Sequence, residues 1–399
     1  MSPIKPRNPQ ARVAASVSCP FCSAPAGYLY FNDGKLRRQI KCKVCSGLFQ
    51  HTLRSPAREK TKFWCPHCKA ALYLWKSKDC QTIYKCPNDK CPEYLRNKDK
   101  LNPLEVLVQS VKSSQFKLRY QYRDYHFSDE QLAHSEPQKF PDDHIFNVRR
   151  SLKDFCLALT FHVSLGISAR QTAYILTNVF RMRTSYQTVL NYARYAAPFC
   201  HQFNLHFKEP AGPTQVGDET YIKIAGKNAY TFFFATPSNR AITAYHIDDS
   251  RGTLPATIAM NEALRTAPSD QPVDFITDGN NAYQAGIHYL NKARDSNAQI
   301  TNTQVIGLQN LDSVSEEFRP FKQIIERLNR TYKHHVRAAN GFNNKNGAVV
   351  ITTLFVTFYN FIRPHTALRY KPPLTVPGME LAETIQDKWA LILIKAFKL

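Results

Sequence analysis

Nine of the eleven cysteines in this 399-residue chain lie before residue 92, and eight of them form two consecutive quartets of one pattern. The first is Cys19-x2-Cys22, then nineteen residues, then Cys42-x2-Cys45. The second is Cys65-x2-Cys68, then seventeen residues, then Cys86-x4-Cys91. Two thiolates on a tight turn grip one edge of a tetrahedral Zn²⁺, and a second pair brought up by a hairpin closes the site. Both intervals suit that hairpin. Tyr28 to Phe31 and Leu36 to Ile40 flank the turn signal Asn32-Asp33-Gly34, while Ala71 to Trp75 and Gln81 to Tyr84 flank Lys76-Ser77-Lys78-Asp79. Residues 1–97 therefore read as tandem zinc ribbons holding two structural Zn²⁺ ions. Four sulfurs leave no open coordination position, so neither metal is catalytic. Cys80 and His67 are substitute ligands if the wider second knuckle closes differently. The clustering excludes a general disulfide framework.

The formal net charge is +22, well beyond what solubility requires, and it points to a polyanionic partner. Nucleic acid is preferred to an anionic membrane, because neither a basic amphipathic helix nor a lipidation signal is visible. Met1 to Gln10 does not read as a signal peptide. The most apolar stretch, Ala348 to Ile362, is interrupted by Thr352, Thr353, Thr357 and Asn360 and falls short of the roughly 18 uninterrupted residues of a span. It is expected to be a buried core helix. A cytoplasmic, DNA-associated protein is the corresponding expectation. In the ribbons, Arg37, Arg38, Lys41, Lys43, Arg54, Arg58, Lys60, Lys62 and Lys69 are candidate phosphate contacts. Tyr28, Tyr30, Trp64, Tyr73 and Trp75 are expected mostly to pack small cores.

Residues 98–144 are polar and mixed in charge, a linker carrying at most a short element over Leu104 to Val111. Residues 145–212 are helical in pattern. Ser168-x-x-Gln171 and Thr184-x-x-Gln187 fit the capping box, so one helix is expected to run to about Phe180 and another from Tyr186 to Ala197. That spacing permits a helix-turn-helix presenting Ser185, Gln187, Thr188, Asn191 and Arg194 to a DNA groove; two ordinary packed helices fit the pattern equally well.

From residue 213 to 375 the pattern is strand, strand, strand, helix, strand, helix, strand, helix. The expected elements are Thr214 to Ile224, Tyr230 to Ala235, Ala241 to Ile247, Leu254 to Thr266, Val273 to Thr277, 281 to 290, Gln299 to Ile306 and Pro320 to Val336. This is the element order of an α/β, RNase H-like fold with a mixed five-stranded sheet and flanking helices. Residues 376–399 are expected to form a C-terminal helix. Three carboxylates stand at corresponding places: Asp218 in Val-Gly-Asp-Glu-Thr-Tyr, Asp278 in Ile-Thr-Asp-Gly-Asn, and Glu326 in Ile-Glu-Arg-Leu-Asn-Arg-Thr-Tyr-Lys. Singly, each has an ordinary explanation. Asp218 could pair with Lys223, Asp278 before glycine is a turn residue, and Glu326 could be a solvated helix carboxylate.

Taken together, with Tyr359-Asn360-Phe361-Ile362-Arg363-Pro364-His365 after them, these motifs resemble those of DDE-class insertion-sequence transposases with an integrase-type core. The resemblance spans about residues 145–375. It implies DNA cleavage at element ends and transfer of the freed 3′-hydroxyl into target DNA, by an enzyme that is a homo-oligomer on its DNA. It also implies two Mg²⁺ or Mn²⁺ ions held by Asp218, Asp278 and Glu326. The chemistry suits hard carboxylate oxygens, since phosphodiester exchange needs an activated attacking oxygen and a stabilised leaving oxygen. Phe321, Ile325, Leu328, Tyr332 and Val336 form an apolar helical stripe, and Lys322, Arg330, Lys333 and Arg337 form a basic one around Glu326. Arg330, Lys333 and Arg337 are candidate DNA contacts, Lys333 at the place where the family has a DNA-contacting lysine. Forty-seven residues separate Asp278 from Glu326, against about thirty-five in the family. Either there is an insertion around Asn291 to Ser315, or Glu316 or Glu317 is the third carboxylate; Pro320 in the first helical turn favours Glu326. Competing readings are a catalytically silent DNA-binding regulator and a hydrolytic nuclease of the same fold.

Overall fold

The computed structural model describes residues 2–4, 12–33, 37, 39–50, 63–100, 118–139, 151–208, 210–305 and 313–399. Arg38, Arg54, Arg58, Lys60, Lys62 and the Leu104 to Val111 element lie outside these residues. The chain divides into two compact units, Met1–Asp124 and Tyr125–Leu399.

In the first unit, β1 (Leu29–Phe31), β2 (Gln39–Cys42) and β3 (Leu48–Gln50) form an antiparallel sheet with Ile40 between Phe31 and Phe49. A second sheet has the order β4 (Tyr73–Lys78), β5 (Gln81–Lys85), β6 (Gln121–Tyr125). Its hairpin is tighter than the composition suggests. Lys76, Ser77 and Lys78 pair with Ile83, Thr82 and Gln81, leaving Asp79 and Cys80 as the turn. The strand β6 comes from the stretch read as a linker, because Tyr120 and Tyr122 pack on Leu72, Cys65 and Cys86. Helix α1 (Pro92–Asp99) starts directly after Cys91, with proline at its first position. Of the five aromatics expected in these cores, Trp64 and Tyr73 are instead exposed.

The second unit is built on five strands: β7 (Thr214–Ile224), β8 (Lys227–Ala235), β9 (Ile242–Asp248), β10 (Val273–Thr277) and β11 (Ile300–Gln304). Their order is β11-β10-β7-β8-β9, antiparallel within β7-β8-β9 and parallel across β7-β10-β11. That is the RNase H-like sheet. Ala225 and Gly226, both at positive φ, make the two-residue β7–β8 turn, whose twist suits a hairpin.

Alternation along β7 and β8 sends side chains to two cores. On one face Phe232, Phe234 and Phe275 meet α5 (Thr253–Leu264) and α6 (Asn281–Asn291) through Ala256, Met260 and Tyr283. On the other, Val216, Ile222 and Phe233 meet α7 (Ser313–Arg337) through Ile325, Leu328, Tyr332 and Val336, the expected apolar stripe. Helix α8 (Lys345–Thr357) is buried as foreseen. It gives Val349 and Phe355 to this core and Val350 and Leu354 to a third one. The third core also takes in α2 (Leu152–Leu159), α3 (Ala169–Asn178), α4 (Tyr186–His206) and α9 (Ile385–Ala396), with Trp389 fully buried.

Two helices differ from expectation. Helix α4 starts at Tyr186 as expected, but its cap is Ser185 rather than Thr184, the Ser185 hydroxyl accepting the Thr188 N–H. It also passes through Pro198 to His206 rather than stopping near Ala197, because Cys200 and Phe203 are core residues. Helix α7 starts at Ser313 rather than Pro320 and holds Pro320 in its interior. Glu316 and Glu317 are thus inside the helix.

The approach of β7 to its neighbours is close at Gly217. A Cβ there would lie 2.1 Å from the Phe234 ring, and that ring is packed edge-on against Phe275 and Tyr283. Gly217→Ala should destabilise the second unit by about 1–3 kcal/mol through overpacking. Thermal melting should show a drop of several degrees, and an unchanged midpoint would disprove the packing described.

Candidate active site and metal centres

Parallel pairing of β10 with β7 aligns Ile276 with Val216. Asp278 and Asp218, each two residues further on, therefore come side by side at the end of β10. Carboxylate oxygens of Asp218, Glu219 and Asp278 all lie within 4.8 Å of one another. Asp218 is largely buried, with its Oδ1 3.2 Å from Lys322 Nζ and its Oδ2 accepting from Asn329 Nδ2 at 3.1 Å. Burial pushes the Asp218 carboxyl up to about 6; Lys322 opposes the rise, and Glu219 and Asp278 add to it. Asp278 also serves as a turn residue, accepting the Asn280 N–H at 2.9 Å, and Asn280 caps α6 through the Ala282 N–H.

Glu219 leaves β7 on the face opposite Asp218, yet its carboxylate still reaches the group. It accepts from Tyr283 Oη at 2.6 Å and Asn280 Nδ2 at 3.3 Å, and pairs with Arg251 at 2.5 Å. Its side chain is 6% exposed. Sequence reasoning passed over Glu219, although it stands in the same motif as Asp218, because a residue next to the first carboxylate belongs to the opposite face of a strand.

Glu326 is not in the carboxylate group. It is half-buried on α7, four residues after Lys322 and three before Asn329. Positions so spaced share one helix face, and the two that flank it both touch Asp218. Lys322 is 7% exposed and paired with Asp218, so it is withdrawn from the basic stripe expected on the surface. Arg330, Lys333 and Arg337 are exposed, with Lys333 Nζ 4.2 Å above the Tyr221 ring. Glu316 and Glu317 are exposed, one to two turns before Lys322 along α7. The preference for Glu326 therefore rests on its place between two residues that reach Asp218, and no longer on Pro320.

On α4, Gln187 is exposed, and its Nε2 donates to Asn191 Oδ1 at 3.0 Å. Asn191 and Arg194 are half-buried. The far side of α4 packs into the helical core through Val189, Tyr192, Ala193 and Ala196, which leaves one narrow face for any groove.

Both cysteine quartets assemble. Cys19 and Cys45 sulfurs are 3.5 Å apart, Cys22 and Cys42 3.7 Å, Cys65 and Cys91 3.8 Å, and Cys68 and Cys86 3.6 Å. A tetrahedral Zn–S bond of about 2.3 Å implies an edge of about 3.8 Å, so the donor sets fit zinc. All four cysteines of each quartet are present, and neither Cys80 nor His67 is needed as a substitute.

The sheet order and the paired strand carboxylates are those of an RNase H-like core. Residues 215–354 match a family described as a DDE domain, and Asp218, Asp278 and Glu326 all fall inside the matched segment. No curated protein matches the chain. Among solved structures, the HTLV-2 integrase catalytic core domain in complex with magnesium is 14% identical, with a TM-score of 0.27, covering 42% of this chain and 96% of its own. A chain of the simian T-cell lymphotropic virus intasome in complex with the PP2A regulatory subunit B56 gamma is 16% identical, with a TM-score of 0.29, covering 52% of this chain and 73% of its own.

If each quartet holds one zinc ion, Cys19→Ser and Cys65→Ser should each remove one equivalent of zinc from the purified chain, measured by elemental analysis. Each should also loosen only its own ribbon, whose core is too small to hold without metal. Undiminished zinc in either variant would refute that ribbon's site.

Proposed function

We propose that the chain is a DNA transposase that cleaves at the ends of a transposable element and joins the freed 3′-hydroxyl to target DNA. The observation that carries this is the convergence of Asp218 and Asp278 on adjacent parallel strands within the segment that matches a DDE domain. Three carboxylates against two cations, Lys322 and Arg251, leave a cluster of hard oxygens one positive charge short. Mg²⁺ or Mn²⁺ fits that donor set. Asp218 and Asp278 of that cluster, together with Glu326 from α7, would hold two such ions, whose chemistry would be to activate the attacking oxygen and stabilise the leaving one.

The residues of the chain do the rest. With metal bound, Lys322 would give way at Asp218 and Glu326, on the same helix face, would turn to the site, while Asn329 keeps the Asp218 carboxylate oriented through its 3.1 Å hydrogen bond. Glu219 does not bind metal; its bonds to Asn280 and Tyr283 fix the start of α6 and with it Asp278. Arg330, Lys333 and Arg337 take up backbone phosphates flanking the reacting bond. Water attack breaks the phosphodiester at the element end and releases a 3′-hydroxyl. That hydroxyl attacks a target phosphorus, and a target 3′-hydroxyl leaves in its place, so the number of phosphodiesters is conserved in the joining step. Gln187, Asn191 and Arg194 contact DNA from the exposed face of α4, the ribbons add basic surface, and the active assembly is a homo-oligomer on DNA.

A second reading follows from one contact. Lys322 already neutralises Asp218, as it would in a relative that binds DNA without cutting it. Metal-dependent cleavage and joining of end-containing DNA decides between the two.

Glu326→Gln should abolish cleavage and joining, by a factor of about a thousand or more, while DNA binding persists, because it removes a metal-holding charge at constant size. Glu219→Gln should retain measurable activity with a lowered melting temperature. Joining assays that gave the opposite ranking would make Glu219 the third ligand and reject the assignment of Glu326. Binding to any duplex should weaken steeply with salt, with a log-log slope of several units given the +22 charge; a flat dependence measured by fluorescence anisotropy would refute a phosphate-dominated interface.

A further inference from the structure

Away from the carboxylates, on the outer side of β9, three side chains converge with no hydrogen bond formed at either histidine Nε2. The segment 128–139 lies along this edge. There Ser135 is buried, accepting the Ile247 N–H at 3.0 Å and contacting the Ile247 carbonyl at 3.4 Å. Its neighbours His134 and Glu136 flank His201 of α4. His134 Nε2 is 3.5 Å and His201 Nε2 3.9 Å from the same oxygen, Glu136 Oε1, and ligand atoms of all three residues lie within 4.8 Å of one another. His201 is 3% exposed, and neither Nε2 atom has a hydrogen-bond partner.

The surroundings fix which nitrogen carries the proton. His201 Nδ1 lies 3.3 Å from Tyr245 Oη, and Tyr245 Oη lies 2.5 Å from Thr353 Oγ1. With the phenol proton given to Thr353, Tyr245 accepts from His201 Nδ1–H, and the Nε2 lone pair is left free. His134 Nδ1 faces the Glu262 carboxylate at 3.9 Å, which favours the same tautomer. Glu262 is already balanced by Lys208 and Arg265 and cannot serve as the missing charge.

Separations of 3.5 and 3.9 Å are too long for N–H···O hydrogen bonds. They are close to the roughly 3.4 Å edge expected when two nitrogens and one oxygen surround a tetrahedral ion at about 2.0–2.1 Å. Two imidazoles and a carboxylate favour a divalent ion of borderline softness over Mg²⁺ or Ca²⁺. The structure assigns His134, Glu136 and His201 as a third metal site, distinct from the ribbons and from the DDE carboxylates, which takes Zn²⁺ and clasps the segment 128–139 to α4 and β9. Glu136 is 55% exposed, so a solvent molecule fills the fourth position. Tyr245 and Glu262 orient the two imidazoles from behind, as outer partners of metal-binding histidines do.

The test uses the full chain, stripped with a chelator, reloaded with Zn²⁺ and dialysed. Glu136→Gln changes an exposed side chain at constant shape, and His134→Gln a half-buried one, so both fold. Each should hold one zinc equivalent fewer than the parent, and added Zn²⁺ should raise the melting temperature of the parent's second unit but not of either variant. Reloading with Co²⁺ identifies the lost ion: the parent-minus-variant spectrum should lack thiolate charge-transfer bands. Equal zinc content in the parent and both variants, or a difference spectrum carrying those bands, overturns the proposal.

Discussion

The parallel pairing of β10 with β7 is the constraint on which the rest of the second unit depends. It sets Ile276 beside Val216 and carries two aspartates to one spot, at the cost of placing like charges together in a site already short of water. A burial that lifts Asp218 to about 6 is tolerated only because the sheet is fixed from both faces. Phe234, Phe275 and Tyr283 lock one face, and Phe233, Tyr332 and Phe355 the other. The same side chains anchor the chemistry. Tyr283 ends on Glu219, and Tyr332 lies three residues after Asn329, which holds Asp218.

Much of this could be read directly from the residues. Alternation and turn signals placed β7 to β11 within a few positions, and a stripe at helical spacing found the buried face of α7. The cysteine quartets were legible because metal ligation demands both residue type and spacing. What escaped had no local signal. The strand β6 is recruited by Tyr120 and Tyr122 packing on a distant cysteine knuckle, and α7 begins seven residues before Pro320, carrying that proline in its interior. Lys322 read as surface basicity, yet its ammonium is consumed by a carboxylate more than a hundred positions away. Glu219 was hidden by its neighbour.

His134, Glu136 and His201 illustrate the same limit from the other side. Sixty-five positions separate Glu136 from His201, and nothing in their spacing suggests a common partner. Only the folded arrangement, with two orphaned ring nitrogens facing one carboxylate oxygen, gives them a shared chemistry.

Strand β9 is the outer edge of the sheet, and both its ends are closed by side chains that imitate a neighbouring strand. Asn360 donates to the Ile242 carbonyl and accepts the Ile242 N–H, each at 2.9 Å, and Ser135 engages the N–H and the carbonyl of Ile247. An open edge would offer the cheapest route for two copies to join, by continuing one sheet into the next. A second copy adding a strand at β9 would first have to displace Asn360 and Ser135 from the backbone groups they occupy.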